Sequence, residues 1–547
     1  MPALCRSSNL RLFTPSEGVR ALAGRLGCSL LTAAVLESRE NSSVSGGFCE
    51  DPSWEAILDR VELGRAGEEA SRKWRDAGNL GKVLVYGDYD VDGVSSTVLA
   101  LELCRGRSEQ ARFFIPHRHE QGYGLHGSVL RRLLPLGWDT LVVVDCGSKD
   151  GKLIAEAEEA GVRVFVFDHH LPEAGQPLHP SVVNPHGGQG CTAGRSLCAT
   201  GVLWAWAWKF GILPKNVLEE MTDLVALATL ADCMPLTPLN RGLVRKGMGV
   251  LARFPRPGLE KLFSRLGVSR ESINEESLTM KVIPCLNAAG RMDLADTAVH
   301  LLLGGSGADE NAESLLSLNR KRQAIAGRIS EEASCMLNGP CSHVALGESW
   351  PVGVLSSVAS RLCSQKGSPV VLAAPVNGYI RGTLRVPEGG DAMKILDPIS
   401  ESLDAWGGHQ YAAGFSVSRP NWEPVCRYLE NALGAMEVTE PLVTAISLRP
   451  EEILLEDWKE TGRLGPFGHG NPAPLFYIPR IGDEKVLLLG KGGRHLQVAS
   501  GSSRLLVFDG QKQRGLLESS AGFVFRPRID SWRGEERLQY VVDYVVT

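Results

Sequence analysis

Four short segments of this 547-residue chain concentrate carboxylates and histidines. Asp88, Asp90 and Asp92 alternate within Gly87-Asp88-Tyr89-Asp90-Val91-Asp92-Gly93, and Asp145 opens Asp145-Cys146-Gly147. Asp168, His169 and His170 are consecutive, and Asp232 closes the apolar run 224–231. Carboxylate and imidazole donors suit Mn2+ or Mg2+ better than a thiolate-rich zinc set would. Brought together without counter-charge, such acids would repel one another and protonate, so a cluster of them calls for cations. Two ions about 3.5–4 Å apart could share a carboxylate, activate a water, and stabilise both the attacking and the leaving oxygen of a phosphodiester.

Each segment alone has a plainer reading. Asp-x-Asp-x-Asp-Gly also fits a calcium loop or a polar turn. Here it lacks the glutamate an EF-hand needs at its twelfth position, and it follows a strand rather than a helix. Asp168-His169-His170 could be the capped start of a helix with satisfied imidazoles. The elements around them favour a site. Lys82–Tyr86, Thr140–Val144 and residues 162–167 are short β-branched and aromatic runs, with helical stretches at 95–104 and 152–160 alternating with them. That alternation predicts a parallel sheet covered on both faces. Each predicted strand then delivers its acids to the carboxyl edge, where open α/β sheets bind ligands.

Elsewhere the texture changes along the chain. Residues 1–78 read as short helices with polar loops near 41–47, and 200–250 read as helical. Trp204, Trp206 and Trp208 fall in an apolar helical run and are expected to pack rather than stack on bases. A long helix over 308–337 is expected to join two lobes, followed by a second α/β block at 344–433. From about 441, short strands with Gly and Pro suggest a small barrel, of which an oligonucleotide-binding barrel is one form.

Composition sets the outer bounds. Hydrophobic residues are 43% and charged residues 22%, an ordinary globular balance that excludes disordered and fibrous classes. The length predicts two to four domains. A net charge of −5 gives no basic footprint for the whole chain, so any nucleic-acid surface must be local. The chain has 13 cysteines and no C-x-x-C pair, which points to reduced thiols. No apolar run approaches the roughly 18 residues of a membrane helix. Met1-Pro2-Ala3-Leu4-Cys5-Arg6 lacks the apolar stretch of a secretory leader. A cytoplasmic protein without a membrane partner is expected.

Taken in order, the segments resemble the DHH phosphoesterases and, within them, the RecJ exonucleases. Residues 85–93 look like motif I, 144–148 like motif II, 167–170 like motif III and 230–241 like motif IV. Residues 115–124, 286–291 and 407–415 are similar to further RecJ segments, the last marking the DHH-associated domain. Residues 464–472 resemble the entry to the family's barrel. The resemblance implies an α/β fold: a parallel-sheet DHH domain joined by a long helix to a DHH-associated domain, plus a C-terminal OB-type β-barrel. It runs from about residue 80 to the C-terminus and implies an N-terminal segment 1–78, a catalytic domain 79–305, a connecting helix 306–338, a substrate-binding domain 339–437 and a barrel 438–547.

The resemblance also implies roles. Asp88, Asp90, Asp145, His169 and Asp232 would hold two Mn2+ or Mg2+ ions, with Asp145 between them. Asp92 would orient the loop, and His170 would contact the scissile phosphate or the leaving oxygen. Arg118, Asn287, Arg291, Thr383, Arg385, Gly407, Gly408 and His409 would grip the terminal nucleotide, arginine being apt for bidentate phosphate contacts and glycine for close backbone approach. Arg291 could instead serve a structural ion pair, and His409 could cap a turn. The implied activity is 5′→3′ degradation of single-stranded DNA to 5′-mononucleotides in DNA repair and recombination. A monomer is expected, with a single-strand-binding protein and a RecQ-type helicase as partners. Cys285 stands where the family usually has Arg, and Val386 where it has Ser. Two rivals are a dinucleotide phosphodiesterase of the same superfamily, which lacks the barrel, and a catalytically dead relative, which loses its metal ligands.

Overall fold

The structure, a computed structural model, describes the chain apart from residues 1–4, 8, 40–55, 57, 118–123, 173–174, 188–191, 340–341, 439–441, 481, 483, 490–494, 501–502, 509, 511–513, 533–534 and 547. It forms two compact units. One comprises Gly47–Arg322 with Gly465–Pro472, the other Met1–Gly46, Gln323–Leu464 and Ala473–Thr547.

The first unit is built on a parallel sheet of five strands, Lys82–Tyr86, Gln110–Phe114, Thr140–Val144, Arg163–Phe167 and Val182–Val183. Counted in chain order they lie 2-1-3-4-5 across the sheet. Side chains of a strand alternate between faces, and here both faces are apolar. Val83, Val85, Val142, Val144, Phe165 and Phe167 pack in one core with the helices Val91–Cys104, Ala199–Lys209 and Thr222–Ala231. Leu84, Tyr86, Leu141, Val143, Val164 and Val166 pack in another with Val129, Leu130, Ile154 and Ala157 of helices Gly127–Leu133 and Gly151–Glu159. This is the doubly covered sheet expected from the sequence. Trp204 and Trp206 are fully buried and Trp208 nearly so, each in the core as expected.

In this strand order the chain leaves the first strand to one side and returns on the other, between Lys82–Tyr86 and Thr140–Val144. The divergence of the two connections opens a crevice at their carboxyl ends. Tyr86 pairs with Val143 and Val144 with Phe167, so three strands end nearly level beside that crevice.

The second unit holds two sheets. Strands Val344–Leu346, Val370–Val376, Tyr379–Arg385, Ala412–Ser418 and Ala405–His409 form the first, in that spatial order. One face packs Ile380, Leu384, Ala413, Phe415 and Val417 against Val425, Leu429 and Leu433 of helix Trp422–Gly434. Among the described residues the other sheet has nine strands, including Lys485–Leu489, His495–Ser500, Ser503–Val507, Gly522–Trp532 and Glu535–Val546. Helix Ala308–Met336 has its residues up to Arg322 in the first unit and those from Gln323 in the second.

The N-terminal stretch departs from expectation. Besides the helices Gly18–Leu26 and Leu30–Glu37 it contains the strands Cys5–Ser7 and Leu10–Phe13. These pair in parallel with Glu535–Val546 and Val443–Ser447, more than 400 residues away. Such short strands carry no alternating pattern of their own, and only their distant partners make them strands. Among the described residues, no single helix is long and apolar enough to cross a membrane.

Candidate metal centre

The first acidic loop is fixed by backbone bonds. Asp90 is the N-cap of helix Val91–Cys104, its Oδ1 accepting from the N–H groups of Asp92 (3.0 Å) and Gly93 (3.1 Å). Asp92 faces inward at 1% exposure. Its carboxylate accepts from Ala199 N (2.7 Å), Thr200 N (2.9 Å) and Thr200 Oγ1 (2.6 Å) at the start of helix Ala199–Lys209. Asp92 therefore ties two helix N-termini together, which suits the orienting role expected of it. Helix Ile283–Met292 closes on the loop from another side. Asn287 Oδ1 accepts from Val91 N at 3.1 Å, and a Cβ on Gly290 would lie 2.1 Å from the Tyr89 carbonyl oxygen. Only glycine permits that approach.

The loops after strands Thr140–Val144 and Arg163–Phe167 are strained or clamped. Asp145, 2% exposed, holds φ +62°, an uncommon backbone for a residue with a Cβ, while its N–H donates to Phe167 O at 3.0 Å. Asp168 is a hub: it accepts from Ser148 N (2.9 Å), His169 N (2.8 Å) and His170 N (3.2 Å), and lies 2.8 Å from His170 Nδ1. His169 Nε2 comes within 3.5 Å of Asp145, 3.5 Å of Asp232 and 3.8 Å of Asp92. Asp232 arrives at the C-terminus of helix Thr222–Ala231, as its position at the end of an apolar run suggested. Its loop is buttressed by the segment 465–472, where His469 O accepts from Leu236 N at 2.7 Å and His469 Nδ1 lies 3.2 Å from Cys233 O.

Charge is concentrated here. Burial and then the carboxylates of Asp92, Asp90, Asp88 and Asp232 push Asp145 well above the usual carboxylate range. Burial, Asp92 and Asp90 push Asp232 up to about 8. Burial alone would lower His170, but the hydrogen bond and charge of Asp168 outweigh it and raise the imidazole to about 9. Burial would raise Asp168 in turn, yet its bonds to His170 and Ser148 hold it well below the usual carboxylate range.

Three sets of donors have all their ligand atoms within 4.8 Å of one another: Asp88, Asp90 and Asp145; Asp145, His169 and His170; and Asp92, His169 and Asp232. The sets overlap at Asp145 and at His169, so the donors could serve two adjoining ions. Hard oxygen and imidazole donors in a net-negative, buried cluster fit divalent Mn2+ or Mg2+. All five residues expected to bind metal are thus brought to one crevice, with Asp92 and His170 beside them.

The residues expected to grip substrate fall in two places. Asn287 and Arg291 are on the helix over the acidic loop, and Arg118 lies outside the described residues. Thr383, Arg385, Gly407, Gly408 and His409 belong to the second unit. Thr383 and Gly407 both pair with Gly414, and Arg385 and His409 both pair with Ala412, so these four share one face of the sheet. Arg385 donates to Thr383 Oγ1 at 2.9 Å, Leu384 O at 2.8 Å and Ser360 Oγ at 3.0 Å. Gly408 has a structural reason of its own, since a Cβ there would lie 2.2 Å from Ala412 O. The departures have local explanations: Val386 is buried in the core of its sheet, and Cys285 is buried with Sγ accepting from Asn319 Nδ2 at 3.2 Å.

Comparison with known proteins agrees with this geometry. Residues 82–229 match the DHH family N-terminal domain, 338–434 the DHHA1 domain and 444–544 the RecJ OB domain. The single-stranded-DNA-specific exonuclease RecJ of Bacillus subtilis (strain 168) is 30% identical over 96% of this chain and 69% of its own length. The chain belongs to the RecJ family. A second RecJ, from Haemophilus influenzae, is also 30% identical, over 85% of this chain and 87% of its own. The crystal structure of RecJ in complex with Mn2+ from Thermus thermophilus superposes with a TM-score of 0.80 at 26% identity, covering 98% of this chain and 79% of that one. The RecJ OB match weighs against the barrel-less dinucleotide phosphodiesterases, and the filled acidic positions weigh against a dead relative.

Within this RecJ-family site, sequence reasoning missed two contributors. Asp168 stands in the sequence only as part of a motif, although three of its four close contacts fix the two histidines. The contact that Gly290 permits left no signal of its own, the residue standing out only as part of the RecJ-like segment 286–291.

Proposed function

We propose that this protein is a metal-dependent single-stranded-DNA exonuclease that removes 5′-mononucleotides from a 5′ end and acts in DNA repair and recombination. The observation that carries the reading is the convergence of Asp88, Asp90, Asp145, His169 and Asp232 at the switch point of the sheet. These residues would hold two Mn2+ or Mg2+ ions, and Asp145 belongs to two of the three donor sets. The ions, when bound, would lower the pKa of a water and neutralise charge developing on the phosphate. Asp92 fixes the loop that presents Asp88 and Asp90. His170, its Nδ1 held 2.8 Å from Asp168, would contact the scissile phosphate or the leaving oxygen. Arg118, Asn287, Arg291, Thr383, Arg385, Gly407, Gly408 and His409 receive the terminal nucleotide, and the barrel tracks the strand by charge and stacking.

The chain divides at 79–305 for catalysis, 306–338 for the connecting helix, 339–437 for substrate binding and 438–547 for the barrel. The protein works as a monomer in the cytoplasm, alongside a single-strand-binding protein and a RecQ-type helicase. Digestion of 5′- and 3′-labelled single strands with Mn2+ and with EDTA tests substrate, polarity and metal dependence together. Mononucleotides released first from the 5′ label, only with metal, are expected. Digestion in EDTA, or from the 3′ end, overturns the reading.

A further inference from the structure

Val182–Val183 is the outermost strand on its side of the parallel sheet, and Asn184 stands directly at its carboxyl end, 5% exposed. Its carboxamide makes three hydrogen bonds. Nδ2 donates to His170 O and to Ser148 Oγ, both at 2.8 Å, and Oδ1 accepts from His186 N at 2.9 Å. The orientation is forced, because the His170 carbonyl can only accept and the His186 N–H can only donate. One side chain thereby joins the loops after three adjacent strands. Two of those loops carry Asp145 and His169–His170. They are joined a second time by the bond from Ser148 N to Asp168 Oδ2 at 2.9 Å. Between Asp145 and Ser148 the backbone is unusual, with φ +62° at Asp145 and +105° at Gly147. For a residue with a Cβ such as Asp145, that conformation persists only where the surroundings over-determine it.

We propose that Asn184 is a positioning residue of the divalent-ion site, an inference that rests on the metal-site reading above. It touches no candidate ligand atom. It acts on the backbone of His170 and on the Ser148 turn, and so sets the separation of Asp145 from His169 and His170. Partners that orient metal ligands in this way typically govern ion affinity by about 10- to 100-fold.

Asn184→Asp keeps the shape and the acceptor and removes both donors. Ser148→Ala removes only one acceptor of the pair. Thr140→Val is the structural control: Thr140 is fully buried at the opposite end of the same sheet, its Oγ1 donating to Leu80 O at 2.8 Å. Mn2+ affinity of the DNA-free protein is read by electron paramagnetic resonance, alongside thermal unfolding and steady-state kcat and KM on single-stranded DNA. Asn184→Asp is expected to weaken Mn2+ binding by about 10- to 100-fold and lower kcat with KM for DNA unchanged. Ser148→Ala shifts affinity the same way by a smaller factor, and Thr140→Val melts earlier with wild-type Mn2+ affinity. Wild-type Mn2+ affinity in Asn184→Asp overturns the proposal, as does a Thr140→Val protein that loses the ion equally. If Asn184→Asp does not fold, Ser148→Ala decides, and wild-type affinity there overturns it. A wild-type protein that binds no Mn2+ overturns the metal site itself, which is a separate result from variants binding as well as wild type.

Discussion

The crevice at the end of the parallel sheet and the sheet face bearing Thr383, Arg385, Gly407 and His409 use opposite means. In the crevice Asp88, Asp92, Asp145 and Asp168 are buried, and bonds to backbone hold the loops in place. Asp92 accepts three hydrogen bonds, Asp168 makes four close contacts, and Asp90 caps its own helix. On the second face Thr383 is buried and Arg385 half-buried, whereas Gly407 and His409 are exposed, and Gly407 has open space where a Cβ would stand. Ions demand donors fixed to fractions of an ångström before they arrive, whereas a phosphate gripped from one side needs room to approach. Substitutions in the crevice should therefore lower kcat and metal affinity, and substitutions on the face should raise KM.

The largest effect belongs to Asp145→Asn. Loss of a carboxylate common to two donor sets should lower kcat by on the order of 10^3-fold or more, beyond the roughly 10^2–10^3 attached to a single transition-state donor. Stability should move oppositely when metal is removed. Burial and then four neighbouring carboxylates oppose the charge on Asp145, so the EDTA-treated variant should melt a few degrees above EDTA-treated wild type. Added Mn2+ should reverse that order. Calorimetry with and without Mn2+ checks it, and a variant that melts lower in both conditions would remove electrostatic frustration from the account of the crevice.

Next comes Gly290→Ala. A Cβ there would lie 2.1 Å from Tyr89 O, so either helix Ile283–Met292 or the Asp88–Asp90 loop must shift. A misplacement near 1 Å can lower a rate by about 10^2-fold. The expected outcome is a kcat reduced by roughly 10- to 100-fold with little change in KM, measured by steady-state digestion. A change confined to KM would move Gly290 to the gripping side of the comparison.

The same contrast explains what the sequence revealed. Asp88, Asp90, Asp145, His169 and Asp232 were legible because each follows an apolar run whose length and β-branching or helical pattern mark its end. The face proposed to grip the nucleotide was singled out only through family likeness, since Thr383 and Arg385 carry no chemistry alone. The role of Gly290 depends on Tyr89, some 200 residues away, and the strand Leu10–Phe13 depends on Val443–Ser447. Local pattern reports local order, and contacts of that span leave no periodicity to read.

Arg385→Ala should raise KM by roughly 10- to 100-fold, the range of one or two charge-assisted hydrogen bonds, with kcat within a few-fold of wild type. Gly407→Ala is the sharper probe although its effect is smaller. Its new Cβ meets nothing within 4 Å in the protein, so unfolding should be unchanged. A KM raised a few-fold would then report something docking on that backbone, and an unaltered KM would take Gly407 out of the gripping set.

Cys285 gives the smallest expected effect and asks which side of the comparison its helix serves. The resemblance implies an arginine at this position, which would suggest gripping. In this chain the thiol is fully buried, pushed up to about 11 by burial, and bonded to Asn319, whose Oδ1 in turn accepts from Arg322 at 2.9 Å. Serine keeps an acceptor for Asn319 but has a shorter, more polar reach. Cys285→Ser should therefore lower stability by about 1 kcal/mol, a typical figure for a buried change of this kind, and leave kcat and KM within twofold. Chemical denaturation and steady-state kinetics measure both. A KM shift without a stability change would mean that the position contacts substrate after all, and the face-versus-crevice division would need redrawing along helix Ile283–Met292.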